Sequence, residues 1–342
     1  MSPAEKFVAG IDLGGTAINY TFLDERGQFL IDGLCEHPAR SVDGPDVCLG
    51  QIEAGLAIAA DRARVPLDKL VAVGLDTPGP ASAAGVLSRR GSTNFIHPAW
   101  GGYDIRGGLE ARLGVPVTYL NDGNAAALWG HVSIFGSENE ATSVSAIVGT
   151  GLGGGVVTGG RVVIGRHGFG GELGHVLIPH AAIPGIDGLV PRCNCGRVGD
   201  LESLCSLTAI RNTLLPHFLA RHPGHPLAAE ADVGEAAKKV RGLADRGDGM
   251  CREIFRVQAR ALGLFFDEMV NVFDPDALVV GGGLMEASGP FRDWFLAEVR
   301  AGMPTQREEQ AGIPIHVMPA GDTAGARGAA LDAARLVRER GL

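Results

Sequence analysis

Two glycine turns, far apart in the chain, each close an apolar run with groups suited to gripping an anion. In Val8-Ala9-Gly10-Ile11-Asp12-Leu13-Gly14-Gly15-Thr16 the run ends in a carboxylate, two glycines and a hydroxyl. Without Cβ atoms, Gly14 and Gly15 let backbone N–H groups approach a phosphate closely, Thr16 adds a hydroxyl donor, and Asp12 can hold a cation. Downstream, the run Ser143 to Val148 breaks at Gly149-Thr150-Gly151, and Leu152 to Val157 continues it as a second strand. Asp-x-Gly-Gly alone is also an ordinary hairpin turn. The repetition is what points to two related halves closing on one polyphosphate. Neither stretch fits the phosphate loop Gly-x-x-x-x-Gly-Lys-Ser/Thr or the strand-to-helix Gly-x-Gly-x-x-Gly of dinucleotide folds.

A second chemical feature is Asn121-Asp122-Gly123-Asn124, which follows the short strand Val117 to Leu120 and precedes an alanine-rich helix starting near Ala125. A carboxylate at the carboxyl end of a strand stands where open α/β sheets place their ligands. Its plainer reading is a helix cap, by Asp122 or Asn124. The third feature is Cys193-Asn194-Cys195-Gly196 with His175 upstream, residue types that suit a structural zinc knuckle, although the spacing singles out no fourth ligand. The segment Ser92 to Trp100 has no clear periodicity and mixes an amide, an imidazole and an indole, so it reads either as a loop able to face a polar ligand or as a plain surface loop.

The elements that must position these groups alternate in type. Apolar runs around the turn Asp24-Glu25-Arg26-Gly27 predict three antiparallel strands between Phe7 and about Cys35. A helix follows between Gly44 and Arg64, then a buried strand Leu70 to Leu75 running into Asp76-Thr77-Pro78-Gly79-Pro80, a helix Ile105 to Leu113, and the strand before Asp122. Beyond Leu207 the spacing predicts helices over Leu207 to Leu219, Val233 to Leu243 and Cys251 to Phe273. The buried strand Ala277 to Val280 then ends in Gly281-Gly282-Gly283, and a helix near Phe291 to Val299, a strand near Ile313 to Met318 and a last helix from about Ala324 complete the chain.

Composition narrows the class. With 342 residues, 45% of them hydrophobic, the chain suggests roughly two domains on the usual length prior and has ample material for a core. Its 52 glycines gather at strand ends, as a strand-rich α/β fold with many tight turns requires. A net charge of -9 without long runs of like charge argues against nucleic acid and anionic membranes as partners. Phe7 already belongs to a core strand, no apolar targeting region precedes it, and no span of about 20 apolar residues occurs, so a cytoplasmic enzyme is expected. Six cysteines in so long a chain do not make a disulfide framework.

Taken together, these residues resemble the ROK family of sugar kinases over nearly the whole chain. The resemblance rests on Asp12-Leu-Gly-Gly-Thr16, Asn121-Asp122-Gly-Asn124, Gly149-Thr-Gly-Leu-Gly-Gly-Gly155, Glu172-Leu-Gly-His175, Cys193-Asn-Cys-Gly196 and Val280-Gly-Gly-Gly283, all in the family's order. It implies an α/β fold of the actin-like ATPase (ribonuclease H-like) class: a small N-terminal domain, 1–120, rejoined by a C-terminal helix at 325–342, and a larger domain, 121–324, around a nucleotide and sugar cleft. It further implies ATP and Mg²⁺ as cofactors, Asp122 as catalytic base, and Asn94, Asn121, Asp122, Glu172, His175 and Glu202 as sugar ligands. Asp12, Gly14, Gly15, Thr16, Gly149, Thr150 and Gly151 then face the phosphates, Gly281 and Gly282 lie beside the adenosine, and a homodimer is expected. Relatives of this kind carry Cys-x-Cys-Gly-x-x-Gly-Cys, and Asp200 stands here in place of the last cysteine. Zn²⁺ would therefore be held by His175, Cys193, Cys195 and Asp200, with Cys205 as an alternative ligand.

Glucose is the expected acceptor. N-acetylglucosamine and N-acetylmannosamine are its rivals, since the stretch from His175 to Cys193 resembles N-acetylglucosamine kinases in length, and fructose and mannose are further alternatives. A sugar-responsive transcriptional regulator of the same family would carry a DNA-binding domain ahead of the first glycine turn, and only eleven residues precede Asp12. A structural actin-like protein has no use for Glu172, His175 and Asp122 together.

Overall fold

A computed structural model describes residues 6–90, 94–137, 139–304, 307–319 and 321–342. Ser92 and Thr93 of the expected polar loop lie outside the described residues. The chain divides into two compact units, one made of the residues up to Glu140 with Gly155–Gly171 and Pro319–Leu342, the other of Ala141–Gly154 and Glu172–Met318. These bounds differ from the expected 1–120 and 121–324, because the helix that begins at Asp122 stays with the first unit.

The first unit opens with β1 (Phe7–Leu13), β2 (Ala17–Asp24) and β3 (Glu36–Pro38), followed by α1 (Pro45–Ala63), β4 (Leu70–Thr77), α2 (Ile105–Leu113), β5 (Val117–Asn121) and α3 (Asp122–Phe135). Its sheet runs β3-β2-β1-β4-β5. β2 is antiparallel to β1, whereas β4 and β5 continue parallel. The third strand is shorter and later than the sequence suggested: only Phe29 bridges back to Leu23, and regular pairing resumes at Glu36. In β1 the alternation is complete. Phe7, Ala9, Ile11 and Leu13 enter a core shared with Leu49, Ile52 and Leu56 of α1, while Val8, Gly10 and Asp12 face the other way.

In the second unit lie β6 (Thr142–Val148) and the start of β7 (Leu152–Thr158), which runs on into the first unit and is followed there by β8 (Arg161–Val162). The chain continues through α4 (Leu207–Ala209), α5 (Leu215–Arg221), α6 (Val233–Asp245), α7 (Gly249–Phe273), β9 (Ala277–Gly281), α8 (Gly289–Ala301), α9 (Glu308–Ala311) and β10 (Ile315–Val317). Between α4 and α5 the expected continuous helix widens into a π-helical turn, Ile210–Leu214, just before Pro216, whose missing N–H interrupts the helical ladder. The second sheet runs β8-β7-β6-β9-β10. Strand for strand this repeats the order β3-β2-β1-β4-β5, which is the relation between two halves that the paired glycine turns suggested.

The last helix, α10 (Ala324–Arg340), packs on the α1-opposed face of the first sheet, where Ala330 and Ala333 meet Val8 and Ala72. It lies close because β1 and β4 present small residues there. A Cβ at Gly10 would overlap the backbone of Ala326, and one at Gly74, its partner across the sheet, would overlap Ala329. Two residues further along the same face, the small residues give way to Asp12 and Asp76.

Candidate active site

In the first unit the strand ends gather three carboxylates. Asp12 is paired in register with Asp76 on β4 and with Asn19 on β2, so the three side chains form a row on one face of the sheet. Asp122 is the first residue of α3. Helix α3 begins three residues earlier than the sequence suggested, and its cap is Asn121, whose side chain accepts from the Gly123 N–H at 3.0 Å. The same N–H reaches Asp122 Oδ1 at 2.6 Å. Asn124, the other candidate cap, is buried and donates to the Gly170 carbonyl at 2.8 Å, fixing the loop that follows β8.

Burial governs the acidity of these groups. It pushes Asp12 up to about 6, with help from the charge on Asp122 and against hydrogen bonds from Asp76 and Asn19. Asp76, fully buried, is raised well above the usual carboxylate range, first by burial and then by the charges of Asp12 and Asp122. Asp122 is raised by burial, opposed by the Gly123 N–H. A carboxylate so placed gains by taking a proton. That is the property a general base for an alcohol needs, while the α3 N-terminus keeps the ionised form accessible.

The first glycine turn and Asn94 come together through one hydroxyl. Buried Ser41 donates to the Gly15 carbonyl at 2.6 Å and lies 3.1 Å from the Asn94 carbonyl, and the Trp100 indole N–H donates to the Ser41 carbonyl. A Cβ at Gly15 would stand 2.8 Å from Asn94 Oδ1 and would oblige that side chain to move. Gly14 donates to the Ala17 carbonyl, and Thr16 is exposed beside it.

In the second unit the turn Gly149-Thr150-Gly151 is closed by a Gly149 N–H to Gly151 carbonyl bond and held by the N-terminus of α4. There Leu207 donates to Gly149, and Thr208 donates to Thr150 with both its N–H and its hydroxyl. Beside it opens a cavity of about 400 Å³ lined by Val148, Ile210, Phe255 and Leu284, with Lys238, Arg241 and Gln258 as its polar groups. An apolar cavity with a few polar groups, ending at a phosphate turn, suits a nucleoside. The glycines after β9 divide their tasks: Gly281 packs on Met318, Gly282 adopts φ 89° against the Val148 carbonyl, and Gly283 lines the cavity, pinned by Arg241.

Glu202 joins this turn to the cysteine knuckle. Its Oε2 accepts from the Leu152 N–H at 2.9 Å, and its Oε1 lies 3.4 Å from Cys193 Sγ. Glu172 is exposed, directly before the short turn that carries His175. His175 Nδ1 lies 3.2 Å from Asp200 Oδ2 and 3.8 Å from Cys193 Sγ, and Cys195 Sγ lies 3.5 Å from the same Asp200 oxygen. Around tetrahedral zinc, bonds of about 2.0 to 2.3 Å place neighbouring ligand atoms roughly 3.3 to 3.8 Å apart, so these three distances are close to three of the six edges of such a tetrahedron, and all four donors lie within 4.8 Å of one another. Cys205, the alternative ligand, is fully buried and is not one of this group. Burial holds the Cys193 thiol well above its usual range, so metal binding would have to displace its proton.

Sequence reasoning missed Asp76, which read as the first residue of the turn segment Asp76 to Pro80, and the cavity side chains of α6 and α7, which read only as parts of apolar-spaced helices. Only knowledge of the β1–β4 register distinguishes Asp76 from any other strand-end aspartate.

The model of the ROK family matches residues 8–335. A glucokinase of Streptomyces coelicolor is 32% identical over 288 residues, covering 81% of this chain and 82% of that protein. An N-acetyl-D-glucosamine kinase of Escherichia coli O6:H1 is 31% identical over 335 residues, 94% and 97% of the two chains. Among solved structures, a ROK family glucokinase from Streptomyces griseus in complex with glucose and AMPPNP superposes with a TM-score of 0.70 at 27% identity, covering 96% of this chain and 99% of that one.

Proposed function

The chain belongs to the ROK family and has the actin-like ATPase fold, and on that footing we propose that it is an ATP-dependent hexose kinase with glucose as its favoured acceptor. The observation that carries the reading is Asp122, a partly buried carboxylate with raised proton affinity at the joint of β5 and α3. Asp122 takes the proton of the attacking sugar hydroxyl as the γ-phosphoryl group of ATP passes to that oxygen, leaving sugar phosphate and ADP. Asn94, Asn121, Glu172, His175 and Glu202 hold the other hydroxyls. The turns at Gly14, Gly15 and Thr16 and at Gly149, Thr150 and Gly151 receive the phosphates, the N–H groups of Gly14 and Gly149 being spent on closing the turns themselves, and the nucleoside occupies the cavity between Val148, Ile210 and Phe255. Mg²⁺ supplies charge neutralisation on the polyphosphate when bound, and Asp12 has the hard oxygen donors it requires.

Within the same reading, His175, Cys193, Cys195 and Asp200 hold Zn²⁺. The imidazole Nδ1 faces the other three donors, which leaves Nε2 for the sugar. A homodimer is the assembly expected of a protein of this family, and light scattering tests it.

Phosphorylation assays with ATP and a panel of glucose, N-acetylglucosamine, N-acetylmannosamine, mannose and fructose test the proposal. A kcat/KM for glucose at least tenfold above the others is expected, and absence of sugar-dependent ADP release would overturn it. One observation favours a second acceptor, N-acetylglucosamine: the alignment to the kinase of that sugar spans 335 residues, against 288 for the glucokinase.

A further inference from the structure

Two consecutive carbonyls of the first glycine turn are tied by the segment that follows β3. The Ala39 N–H donates to the Thr16 carbonyl at 2.9 Å, and the Ser41 hydroxyl donates to the Gly15 carbonyl at 2.6 Å. Ser41 is completely buried, out of reach of bulk water. Its oxygen also lies 3.1 Å from the Asn94 carbonyl, but a hydroxyl has a single proton and the shorter contact takes it. The hydroxyl is held from behind. Arg40 adopts the left-handed conformation, φ 50°, with its guanidinium on Asp43 at 2.8 Å, and the Trp100 indole N–H donates to the Ser41 carbonyl at 2.8 Å.

The β2–β3 register places Thr16 opposite Ala39, where a continued antiparallel ladder would exchange both N–H bonds. Only the Ala39 N–H bond is made, and no carbonyl of the described residues accepts the Thr16 N–H. A trans peptide sets its N–H opposite its C=O, so with the Gly15 carbonyl drawn to Ser41 the Thr16 N–H points the other way, at a residue that is exposed. We propose that Ser41 is a positioning residue for phosphoryl transfer: it turns the Gly15–Thr16 peptide out of the ladder and aims the Thr16 N–H at the phosphates of the nucleotide. The inference rests on the reading of Gly14 to Thr16 as a phosphate turn. With the Gly14 N–H spent on Ala17, the Thr16 N–H is one of the donors the turn has left, and a backbone donor fixed in advance costs no reorganisation as charge develops on the transferring group. Gly15 offers little resistance to rotation of this peptide. Without the Ser41 hydroxyl, the Thr16 N–H returns to the Ala39 carbonyl and is lost to the ligand.

Ser41→Ala tests the assignment. KM for ATP should rise about fivefold or more, while the dissociation constant of glucose, measured by calorimetry without nucleotide, changes less than about twofold. In protein labelled with ¹⁵N-threonine, the Thr16 amide resonance, assigned through Thr16→Ser, should shift on addition of AMPPNP in wild type and stay in place in Ser41→Ala. Should Ser41→Ala not fold, Ser41→Cys, whose thiol is a weaker donor, must raise the ATP KM in the same selective way. An unchanged ATP KM, or a loss spread equally over ATP and glucose with a lowered melting temperature, would overturn the assignment and leave Ser41 a packing residue. The amide shift needs neither sugar nor turnover. Its absence in wild type would overturn this inference, whereas wild-type protein that shows the shift, loses it in Ser41→Ala and phosphorylates no sugar would support the inference and sink the hexose kinase reading alone.

Discussion

In the proposed reaction the chemistry turns on Asp122, and its environment then sets both a rate and a pH dependence. Asp122→Asn keeps the shape, and an amide can still accept the Gly123 N–H, but it cannot take a proton from an alcohol. We expect kcat to fall by about 10² to 10⁴ with sugar affinity, measured by calorimetry, changed less than threefold. Wild-type turnover in this variant would remove Asp122 from its role. Because burial raises its proton affinity, the base is lost as pH falls through a pKa higher than that of a free aspartate. The acid limb of the wild-type kcat profile should therefore lie higher than a free aspartate would place it and vanish in the asparagine variant. Glu172→Gln weakens a charge-assisted bond to a hydroxyl, so sugar KM should rise several-fold while ATP KM stays put. At this scale the sequence was informative where a residue stood beside a turn signal, as Asp122 and the glycines do. Asp76 was hidden, because its meaning comes from a neighbour on another strand.

Among the elements, the seam between α10 and the first sheet and the contact between α7 and α8 make opposite demands. The seam depends on missing atoms. Gly74→Ala would drive a methyl into the Ala329 backbone, and overpacking of this kind costs about 1 to 3 kcal/mol, read as a lowered urea midpoint. An unchanged midpoint would mean that α10 is free to shift. The α7–α8 contact adds charge to the packing of Phe255 on Phe291: Arg260 binds Glu298 at 2.7 Å, and Arg256 reaches its other oxygen at 3.2 Å. Partial burial works to raise Glu298, but the two guanidinium groups outweigh it and hold its carboxyl below the usual range. A depressed carboxyl contributes its stability above the unfolded pKa and loses it as pH falls through the folded one. Glu298→Gln should therefore lower the melting temperature at pH 7, and the gap to wild type should shrink as the pH is taken down toward 3. A gap independent of pH would make the contact one of packing alone. The helices themselves were legible from apolar spacing, whereas the π-helical turn at Ile210 was not, because a widened turn leaves the apolar pattern almost unchanged.

At the scale of the whole molecule, the repeated order of the two sheets explains why the two glycine turns read alike: each follows the central strand of an equivalent sheet. The division of the chain was less legible, since β7 passes from one unit to the other without any loop or change of composition to mark the passage. The knuckle is where one local event reaches furthest through the second unit, as Glu202 ties Cys193 to the N–H that follows the second glycine turn. Without metal, the Cys193 thiol keeps its proton and can donate it to Glu202. Zinc would take Cys193 as thiolate, remove that donor and leave Glu202 Oε1 to accept a sugar hydroxyl, while fixing the His175 ring through Nδ1. Chelation should therefore lower the melting temperature and weaken sugar binding together, with zinc restoring both. With two thiolates rather than three, the ion should be held more loosely than in an Asp200→Cys variant, whose zinc should resist a chelator concentration that strips wild type. Metal analysis of the purified protein, followed by chelation with calorimetric measurement of glucose affinity, decides the matter: protein isolated metal-free, fully active and indifferent to added zinc would reduce Cys193 and Cys195 to parts of a turn.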